Sequence, residues 1–328
     1  MGITTYGSAG VKLVEALLQS IREKTEFDKD FALLVLDDGT PDKKAVDELA
    51  RISLVYDAEF EYHKTNEGKP KNEGIPKSWN DCVKILHDRF GCEDIVLLNN
   101  DLLVLDKNWL KYLIFFLDNN DSVAMCGLPL ININYKTGKL MPYDPSSWGD
   151  KPSRVGCSVG CCFGLKYNVW RRIKNIDGSI GFWENLIAFH EELDYGFSCA
   201  KELGYDSWML NYPPMGHYGG TTFANYPELT IREFPEGYDR ELYIETIMKS
   251  KVYPENWKKA GRIIWKDEKG REVVDRMAFS RFMFALKWNV LDNYDAPQIE
   301  VHKQVIDPLP KRKIKWLDKD GEEREAVV

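Results

Sequence analysis

Two apolar runs, each ending in acidic and amide side chains, constrain the fold of this chain more than any other feature. Phe31–Leu36 leads into Asp37 and Asp38, and Ile95–Leu98 leads into Asn99–Asp101. Short aliphatic runs between turn-forming residues are typical of buried parallel strands. Open α/β sheets bind ligands just beyond the carboxyl ends of such strands. The sequence therefore predicts two neighbouring strands whose carboxylates share one crevice, where a bound cation would relieve their repulsion.

The first hundred residues alternate between strand and helix patterns, which is typical of a parallel sheet. The predicted strands lie near residues 3–6, 31–36, 54–62 and 95–98, and the predicted helices near 11–21, 42–52 and 78–90. Ser8 and Ser78 are expected to cap the first and third helices, and Gly91 to end the third. The polar stretch 64–77 has no periodicity and is interpreted as a loop.

The pattern changes after residue 101. The remaining predicted elements are a helix and a strand within 102–126, a long loop over 127–153, a strand over 155–165, a helix over 191–203 closed by Gly204, hairpins near 262–274 and 313–326, and a helix near 277–288. We expect a domain over residues 1–224, with halves 1–101 and 102–224, followed by a C-terminal extension over 225–328.

Composition and charge narrow the class of protein. At 328 residues and 44% hydrophobic composition the chain can bury a large core, and no apolar stretch approaches membrane-spanning length. The seven cysteines are an odd number, which favours a reducing compartment over a disulfide framework. No signal-peptide pattern opens the chain. We therefore expect a cytoplasmic protein without a transmembrane segment.

The charge is unevenly distributed. Residues 1–224 carry 24 Lys and Arg against 32 Asp and Glu, whereas residues 225–328 carry 20 of each. An acidic front half argues against a broad contact with a phosphate backbone. Nucleic acid is therefore a possible but less favoured partner, and the oligomeric state is not indicated.

Several short motifs, taken in order, resemble a family-2 glycosyltransferase of the GT-A fold. They are Thr4–Tyr6, Asp37–Thr40, Leu98–Asp101, His190–Asp194 with Lys201–Tyr205, and His217–Thr221. The resemblance covers roughly residues 1–222. It implies a GT-A-like (Rossmann-like) α/β fold, with a mostly parallel central sheet flanked by helices and a mixed α+β C-terminal extension.

The resemblance also implies a nucleotide-sugar site at the first three motifs. One of Asp37 and Asp38 would accept a hydrogen bond from the nucleobase imide, and Tyr6 would lie near the base. The other residues assigned to this site are Thr4, Asn99 and Asn100. The alternatives are that the two aspartates only form a tight turn before a helix, and that Tyr6 belongs to the core.

Asp101 and His217 are the implied metal ligands. Asn99–Asp101 stands where the family has two aspartates, so a single carboxylate remains. One carboxylate, pyrophosphate oxygens and waters can still hold Mn²⁺ or Mg²⁺. The alternative for His217 is a hydrogen-bonded loop histidine.

The acidic helix motif implies the catalytic base. Glu192 would remove the proton of an acceptor hydroxyl, with Glu191 as a second candidate and Asp194 as a third whose expected role is a supporting one. The alternative is that these side chains only favour a helix N-terminus.

The sequence thus predicts an inverting, metal-dependent enzyme, a glycosyltransferase that uses a nucleotide-sugar donor, preferably a UDP-sugar, and a hydroxyl acceptor on a glycan. Three rivals remain open. They are a transferase acting on hydroxymethylated nucleic acid, a nucleotidyltransferase and a non-catalytic glycan-binding module. A nucleotidyltransferase would usually carry a glycine-rich basic loop near its start, and residues 1–12 do not supply one.

Overall fold

The structure is a computed structural model that describes the whole chain except residues 29, 135, 158–159, 187–189 and 220–225. Its first hundred residues alternate strands and helices: β1 (Gly2–Thr5), α1 (Gly10–Lys24), β2 (Leu34–Asp37), α2 (Lys43–Val55), β3 (Glu59–Tyr62), α3 (Ile75–Phe90) and β4 (Asp94–Asn99). The four strands pair in parallel in the order β3-β2-β1-β4. The predicted parallel sheet is confirmed, but β2 and β4 are not neighbours, because β1 lies between them.

The middle of the chain extends this sheet and adds a small second one. Its elements are β5 (Leu102–Val104), α4 (Trp109–Asp118), β6 (Val123–Gly127), β7 (Leu130–Asn132), β8 (Ser153–Val155), β9 (Cys162–Lys166), α5 (Tyr167–Trp170), α6 (Glu191–Leu203), β10 (Asp206–Met209) and β11 (Met215–His217). The large sheet continues β4-β9-β6-β10-β8, with β9 and β8 antiparallel to their neighbours. A three-stranded sheet, β5-β11-β7, lies apart from it.

The C-terminal extension is mixed α+β, as predicted. Its elements are β12 (Ile231–Glu233), α7 (Arg240–Lys249), α8 (Glu255–Lys259), β13 (Trp265–Lys266), β14 (Glu272–Asp275), α9 (Arg276–Lys287), α10 (Pro297–Val305), β15 (Lys313–Leu317) and β16 (Glu323–Val327). β12, β14 and β13 form one antiparallel sheet, and β15 with β16 forms a hairpin.

Local signals explain where the helices begin and end. Asp42 accepts a hydrogen bond from the backbone N–H of Lys44 at 3.0 Å and so caps α2. Gly91 and Gly204 adopt left-handed conformations immediately after α3 and α6, with φ of 66° and 67°. Such a conformation is easy only for residues without a Cβ, so glycine ends both helices as predicted.

Four predicted element boundaries are wrong. Ser78 does not cap α3, since the helix begins at Ile75 and Ser78 is buried inside it. Ser8 makes no cap for α1 and instead donates a hydrogen bond to Asp42 Oδ2 at 2.8 Å. The strand expected over 54–62 begins only at Glu59, because Leu54 and Val55 complete α2. The strand expected over 155–165 is two strands, β8 and β9, and residues 158–159 between them lie outside the described part of the chain.

The C-terminal extension shares apolar clusters with the rest of the chain. Ile314, Trp316 and Leu317 of β15 belong to the same buried cluster as the α4 side chains. A second cluster joins α9 to Trp183, Leu186 and Phe197 of the middle of the chain. Burial of apolar surface contributes roughly 25 cal/mol per Å², so both contacts hold the extension against the sheet domain.

Among the described residues, no helix is both long and apolar enough to cross a bilayer.

Candidate functional site

Three strands end together at one edge of the large sheet. β1 lies between β2 and β4, with Thr5 paired to Asp37 and Thr4 paired to Asn99. The carboxyl ends of parallel neighbours meet at one edge, so the predicted nucleotide-sugar motifs are brought together there. The sequence alone suggested this convergence, although it did not place β1 between the two acidic strands.

Asp37 fixes the turn that follows β2. Its Oδ1 accepts hydrogen bonds from the backbone N–H of Thr40 at 3.1 Å and from the Thr40 hydroxyl at 2.7 Å. The Thr40 Oγ1 in turn accepts the backbone N–H of Gly7 at 2.6 Å, which ties this turn to the loop after β1. Burial raises the pKa of Asp37 to about 6. Its Oδ2 is buried and has no hydrogen-bond partner among the described residues.

Asp38 is held much more completely. Its Oδ1 lies 2.9 Å from His63 Nδ1 and 2.8 Å from the backbone N of Glu73. Its Oδ2 lies 2.9 Å from Asn72 Nδ2 and 3.0 Å from the backbone N of Gly74. A carboxylate offers about four lone-pair positions, and these four contacts use them. Asp38 therefore organises the segment before α3, which the sequence pattern described only as a loop.

His63 continues this network away from the sheet edge. Its Nε2 lies 3.0 Å from Asp81 Oδ2, and Asp81 also forms an ion pair with Lys77. Desolvation is the largest effect on His63 and lowers its pKa, but the hydrogen bonds with Asp38 and Asp81 outweigh it and raise the pKa to about 9. His63 and Asn72 were missed by the sequence analysis, since neither belongs to a motif that it singled out.

Tyr6 packs against a residue that the sequence analysis also missed. Its ring meets the ring of Tyr226 edge-on, with centroids 5.4 Å apart. The Tyr226 hydroxyl accepts a hydrogen bond from the backbone N–H of Ala9 at 3.0 Å. Gly7, with φ of 79°, lies so close to the Tyr226 ring that a Cβ would overlap it. The start of the C-terminal extension is thus fitted onto the loop after β1.

Asn100 and Thr5 face each other below this loop. Asn100 Nδ2 donates a hydrogen bond to Thr5 Oγ1 at 2.8 Å, and both side chains are buried. Thr4 and Asn99 lie in the adjacent strands as a register pair. The predicted nucleotide-sugar residues are therefore clustered, and at least Asn100 has a structural partner as well.

Asp101 and His217 also meet, with Oδ2 and Nε2 3.4 Å apart. β11 carries His217 opposite Leu102 of β5, and the backbone N–H of Tyr218 donates to the Asp101 carbonyl at 2.9 Å. Cys161 Sγ lies 3.5 Å from the same imidazole nitrogen. Desolvation lowers the pKa of His217, but its hydrogen bonds with Asp101 and Cys161 raise it to about 10.

These residues fit a divalent metal as a partial ligand set. Asp101 Oδ1 is buried and has no hydrogen-bond partner in the described part of the chain, so a cation would satisfy it. Carboxylate and imidazole together suit Mn²⁺. No group of three or more His, Cys, Asp or Glu side chains arranged to hold a metal occurs among the described residues. Oxygen atoms of a bound ligand would have to complete the coordination.

The acidic helix begins with a desolvated glutamate pair. Glu191 is buried, and its Oε2 has no hydrogen-bond partner within the described ranges. Burial raises the pKa of Glu191 well above its usual value, and the charge of Glu192 raises it further. Burial also raises the pKa of Glu192, whose side chain is half-buried. Two adjacent carboxylates in such surroundings do not both ionise easily, so they titrate as a pair.

Asp194, two positions after Glu192 on α6, is bound by the C-terminal extension. Its carboxylate accepts hydrogen bonds from Lys287 Nζ at 2.6 Å and from Trp288 Nε1 at 2.9 Å. The carboxylate and the ammonium group are both almost fully buried. This pairing attaches the acidic helix to the end of α9.

Two consecutive residues join the glutamate pair to the Asp101–His217 pair. A Cβ on Gly160 would lie 3.1 Å from the Glu192 carboxyl carbon, and Cys161 contacts His217. Consecutive Cα atoms are about 3.8 Å apart, so Glu192 and the Asp101–His217 pair both lie near one short segment. Of the downstream histidine motif, Gly220 and Thr221 lie outside the described residues.

No family model matches the sequence, and a comparison with curated proteins finds no match. Among solved structures, the crystal structure of GalNAc-T7 with UDP, GalNAc and Mn²⁺ is similar over 100% of this chain, with a TM-score of 0.52 and 12% sequence identity. The chain spans 64% of the length of that protein.

Two crystal structures of S. aureus TarS are also similar. The first, of residues 1–349, has a TM-score of 0.46 and 14% identity, with 100% of this chain and 98% of that one covered. The second has a TM-score of 0.49 and 13% identity, with coverage of 99% and 60%. The likeness to GalNAc-T7 shows that the chain has the fold of a GT-A glycosyltransferase.

Proposed function

We propose that this protein is an inverting glycosyltransferase that moves a sugar from a UDP-sugar to a hydroxyl group of a glycan. The main support is the segment of Gly160 and Cys161: a Cβ at position 160 would approach the Glu192 carboxyl carbon to 3.1 Å, and Cys161 Sγ lies 3.5 Å from His217 Nε2. A base and a ligand pair for a diphosphate-bound metal would therefore face the same donor. GalNAc-T7, which is similar in fold, was crystallised with UDP, GalNAc and Mn²⁺.

Glu192 is the proposed base. Glu191 is the more deeply buried of the two, so it retains the shared proton while Glu192 carries the charge. The Glu192 carboxylate accepts the proton of the acceptor hydroxyl as that oxygen bonds to the anomeric carbon of the donor. The bond between the anomeric carbon and the diphosphate oxygen breaks in the same step, and attack from the opposite side inverts the centre. A positioned base typically accelerates such a step 10²–10⁴-fold, or about 3–5 kcal/mol.

Asp101 and His217 would hold Mn²⁺ or Mg²⁺ together with the diphosphate of the donor. A metal bound there would stabilise the negative charge that develops on the departing diphosphate. The protein itself orients these two ligands through the pairing of β11 with β5 and through the Tyr218 backbone contact with Asp101.

The nucleobase would bind at the end of β1 and β2. Tyr6 and Tyr226 supply aromatic surface there, and base–aromatic contacts contribute about 1–3 kcal/mol each. Asp37 or Asp38 would accept a hydrogen bond from the imide N–H of the base. Asp37 has an oxygen without a partner among the described residues, whereas Asp38 would have to release one of its loop donors. Measuring the affinity of Asp37→Asn and Asp38→Asn variants for UDP and for the corresponding cytidine nucleotide tells the two residues apart. Only the variant of the residue that contacts the base should lose the preference for uridine.

The experiment that tests the function is a screen of nucleotide sugars with and without Mn²⁺. A ligand that binds only the folded state raises the free energy of unfolding by about 2.7 kcal/mol at a hundred times its dissociation constant. We expect a UDP-sugar to raise the melting temperature in the presence of Mn²⁺, and release of UDP to follow when a glycan acceptor is added. The proposal fails if no nucleotide sugar stabilises the protein or if bound donors are neither transferred nor hydrolysed.

A further inference from the structure

Two arginines of the C-terminal extension, Arg232 and Arg276, form no ion pair with any described residue. Arg276 begins α9, and its guanidinium makes no hydrogen bond or ion pair with any described residue; its Nε is buried. Arg232 of β12 donates only to backbone carbonyls, those of Asn185 and Glu233, both at 3.4 Å. A half-buried charge without an ionic partner is costly, so both guanidinium groups are suited to an anion that arrives from outside.

The two arginines lie close together because of the strand pairing. Arg232 of β12 is paired with Val274 of β14, and Arg276 follows Val274 by two residues. Asp275, which precedes Arg276, is paired with Ile231, which precedes Arg232, so the two long side chains start from neighbouring parts of the backbone and can reach one group. The Arg232 guanidinium also lies 4.9 Å from the ring centroid of Phe279, one helical turn after Arg276.

This pair lies at the border of the nucleotide half. Tyr226, six positions before Arg232, packs on Tyr6 and bonds to the loop after β1. Burial lowers the pKa of Arg276, and the nearby Asp38 carboxylate opposes that effect, as does Tyr6 at high pH where its hydroxyl ionises. Burial lowers the pKa of Arg232 to about 10, with a further contribution from the Arg276 charge. Both groups remain cationic at neutral pH and repel each other.

We propose that Arg232 and Arg276 form a phosphate-binding site that the C-terminal extension adds to the nucleotide half. Guanidinium groups bind phosphate oxygens through two parallel hydrogen bonds, and a dianionic group between them would remove their repulsion. The phosphate would come either from the diphosphate of the donor or from a phosphate group carried by the acceptor. Assignment to the donor rests on the function proposed above, whereas the existence of the site does not.

Inorganic pyrophosphate in metal-free buffer is the probe. We expect it to raise the melting temperature of the wild-type protein and to need at least about tenfold higher concentration in Arg232→Gln and Arg276→Gln, since each loses a charged hydrogen bond. The matched control is Arg240→Gln, which removes an exposed guanidinium already bound to Glu272 Oε2 at 2.7 Å and should respond like the wild type. Circular dichroism before titration establishes that the variants are folded.

Saturating UDP distinguishes the two sources of phosphate. If the site holds the diphosphate of the donor, UDP abolishes the response to pyrophosphate, and both variants bind UDP about tenfold more weakly but uridine equally well. If the site holds a phosphate of the acceptor, the response persists with UDP bound. The proposal is overturned if the wild-type protein does not respond to pyrophosphate, or if the double variant responds as the wild type does. Because pyrophosphate binding needs no sugar donor, this result is independent of whether transferase activity is found.

Discussion

Two acidic pairs that look alike in the sequence, Asp37–Asp38 and Glu191–Glu192, have different surroundings in the folded protein. Asp38 receives four hydrogen bonds from side chains and backbone, which use its lone-pair positions. Glu191 and Glu192 begin a helix at a position where burial raises the pKa of both. The two clusters therefore differ in how many hydrogen-bond donors surround each carboxylate. A saturated carboxylate organises a loop, and a desolvated one is ready to accept a proton.

The first prediction tests the reactive side of this comparison. Glu192→Gln should lower the transfer rate by at least about a hundredfold while donor and metal affinity are retained, because a base acts in the chemical step. Glu202→Gln, at an exposed position on the same helix, is the control and should transfer normally. The measurement is single-turnover transfer with saturating donor. If Glu191→Gln shows the large loss instead, the roles of the two glutamates are exchanged.

The second prediction concerns Asp194, which lies in the acidic motif of α6 but is bound by Lys287 and Trp288 of the C-terminal extension. Asp194→Ala should reduce the free energy of unfolding by about 3–5 kcal/mol, because it leaves the buried Lys287 ammonium without its partner. Denaturant unfolding measures the loss. The double variant Asp194→Ala with Lys287→Met should recover much of it. Equal stability of the wild type and the single variant would show that the pair does not anchor the helix.

The third prediction concerns the partial ligand set. Asp101→Ala should remove the Mn²⁺-dependent part of the stabilisation by UDP. In the wild type, the whole stabilisation by a ligand at a hundred times its dissociation constant is about 2.7 kcal/mol. Stabilisation by UDP without metal should remain. Asp106→Ala is a control carboxylate nearby in the chain, bonded to Tyr212, and should keep the metal effect. A full metal-dependent shift in Asp101→Ala would contradict the assignment.

The fourth prediction tests the hydrogen-bond network around Asp38, through His63. The pKa of folded His63 is raised to about 9, above its usual 6.5, so its contribution to stability is complete below pH 6.5 and is lost as the pH rises towards 9. The free energy of unfolding should fall by on the order of 2 kcal/mol across that window. His63→Gln should lack this decrease. Denaturant unfolding at pH 6, 7.5 and 9 gives the slope, and identical slopes in both proteins would exclude a charged His63.

Much of the sheet and of α6 followed from the sequence. The runs that end at Asp37 and Asn99 became parallel strands, and α6 has the predicted bounds Glu191–Leu203 with Gly204 after it. These features depend on residues close together in the chain, where periodicity, burial and the conformational freedom of glycine act locally.

The errors arose where distant residues compete with local preferences. Ser8 has the chemistry of a helix cap, but Asp42 attracts its hydroxyl, and Ser78 is drawn into a buried position within α3. The position of β1 between β2 and β4 likewise depends on long-range pairing rather than on any local pattern.

The sequence by itself determined the strand–helix alternation, the caps at Gly91 and Gly204 and the order of the acidic motifs, because each depends on the chemistry of a few adjacent residues. Only the tertiary structure decided what each charged group meets. It placed four donors around Asp38, buried Glu191, set Lys287 against Asp194, and left Arg232 and Arg276 without an ion pair among the described residues. The state of a charge depends on its solvation and its partners, and in this protein these partners come from segments far away in the chain.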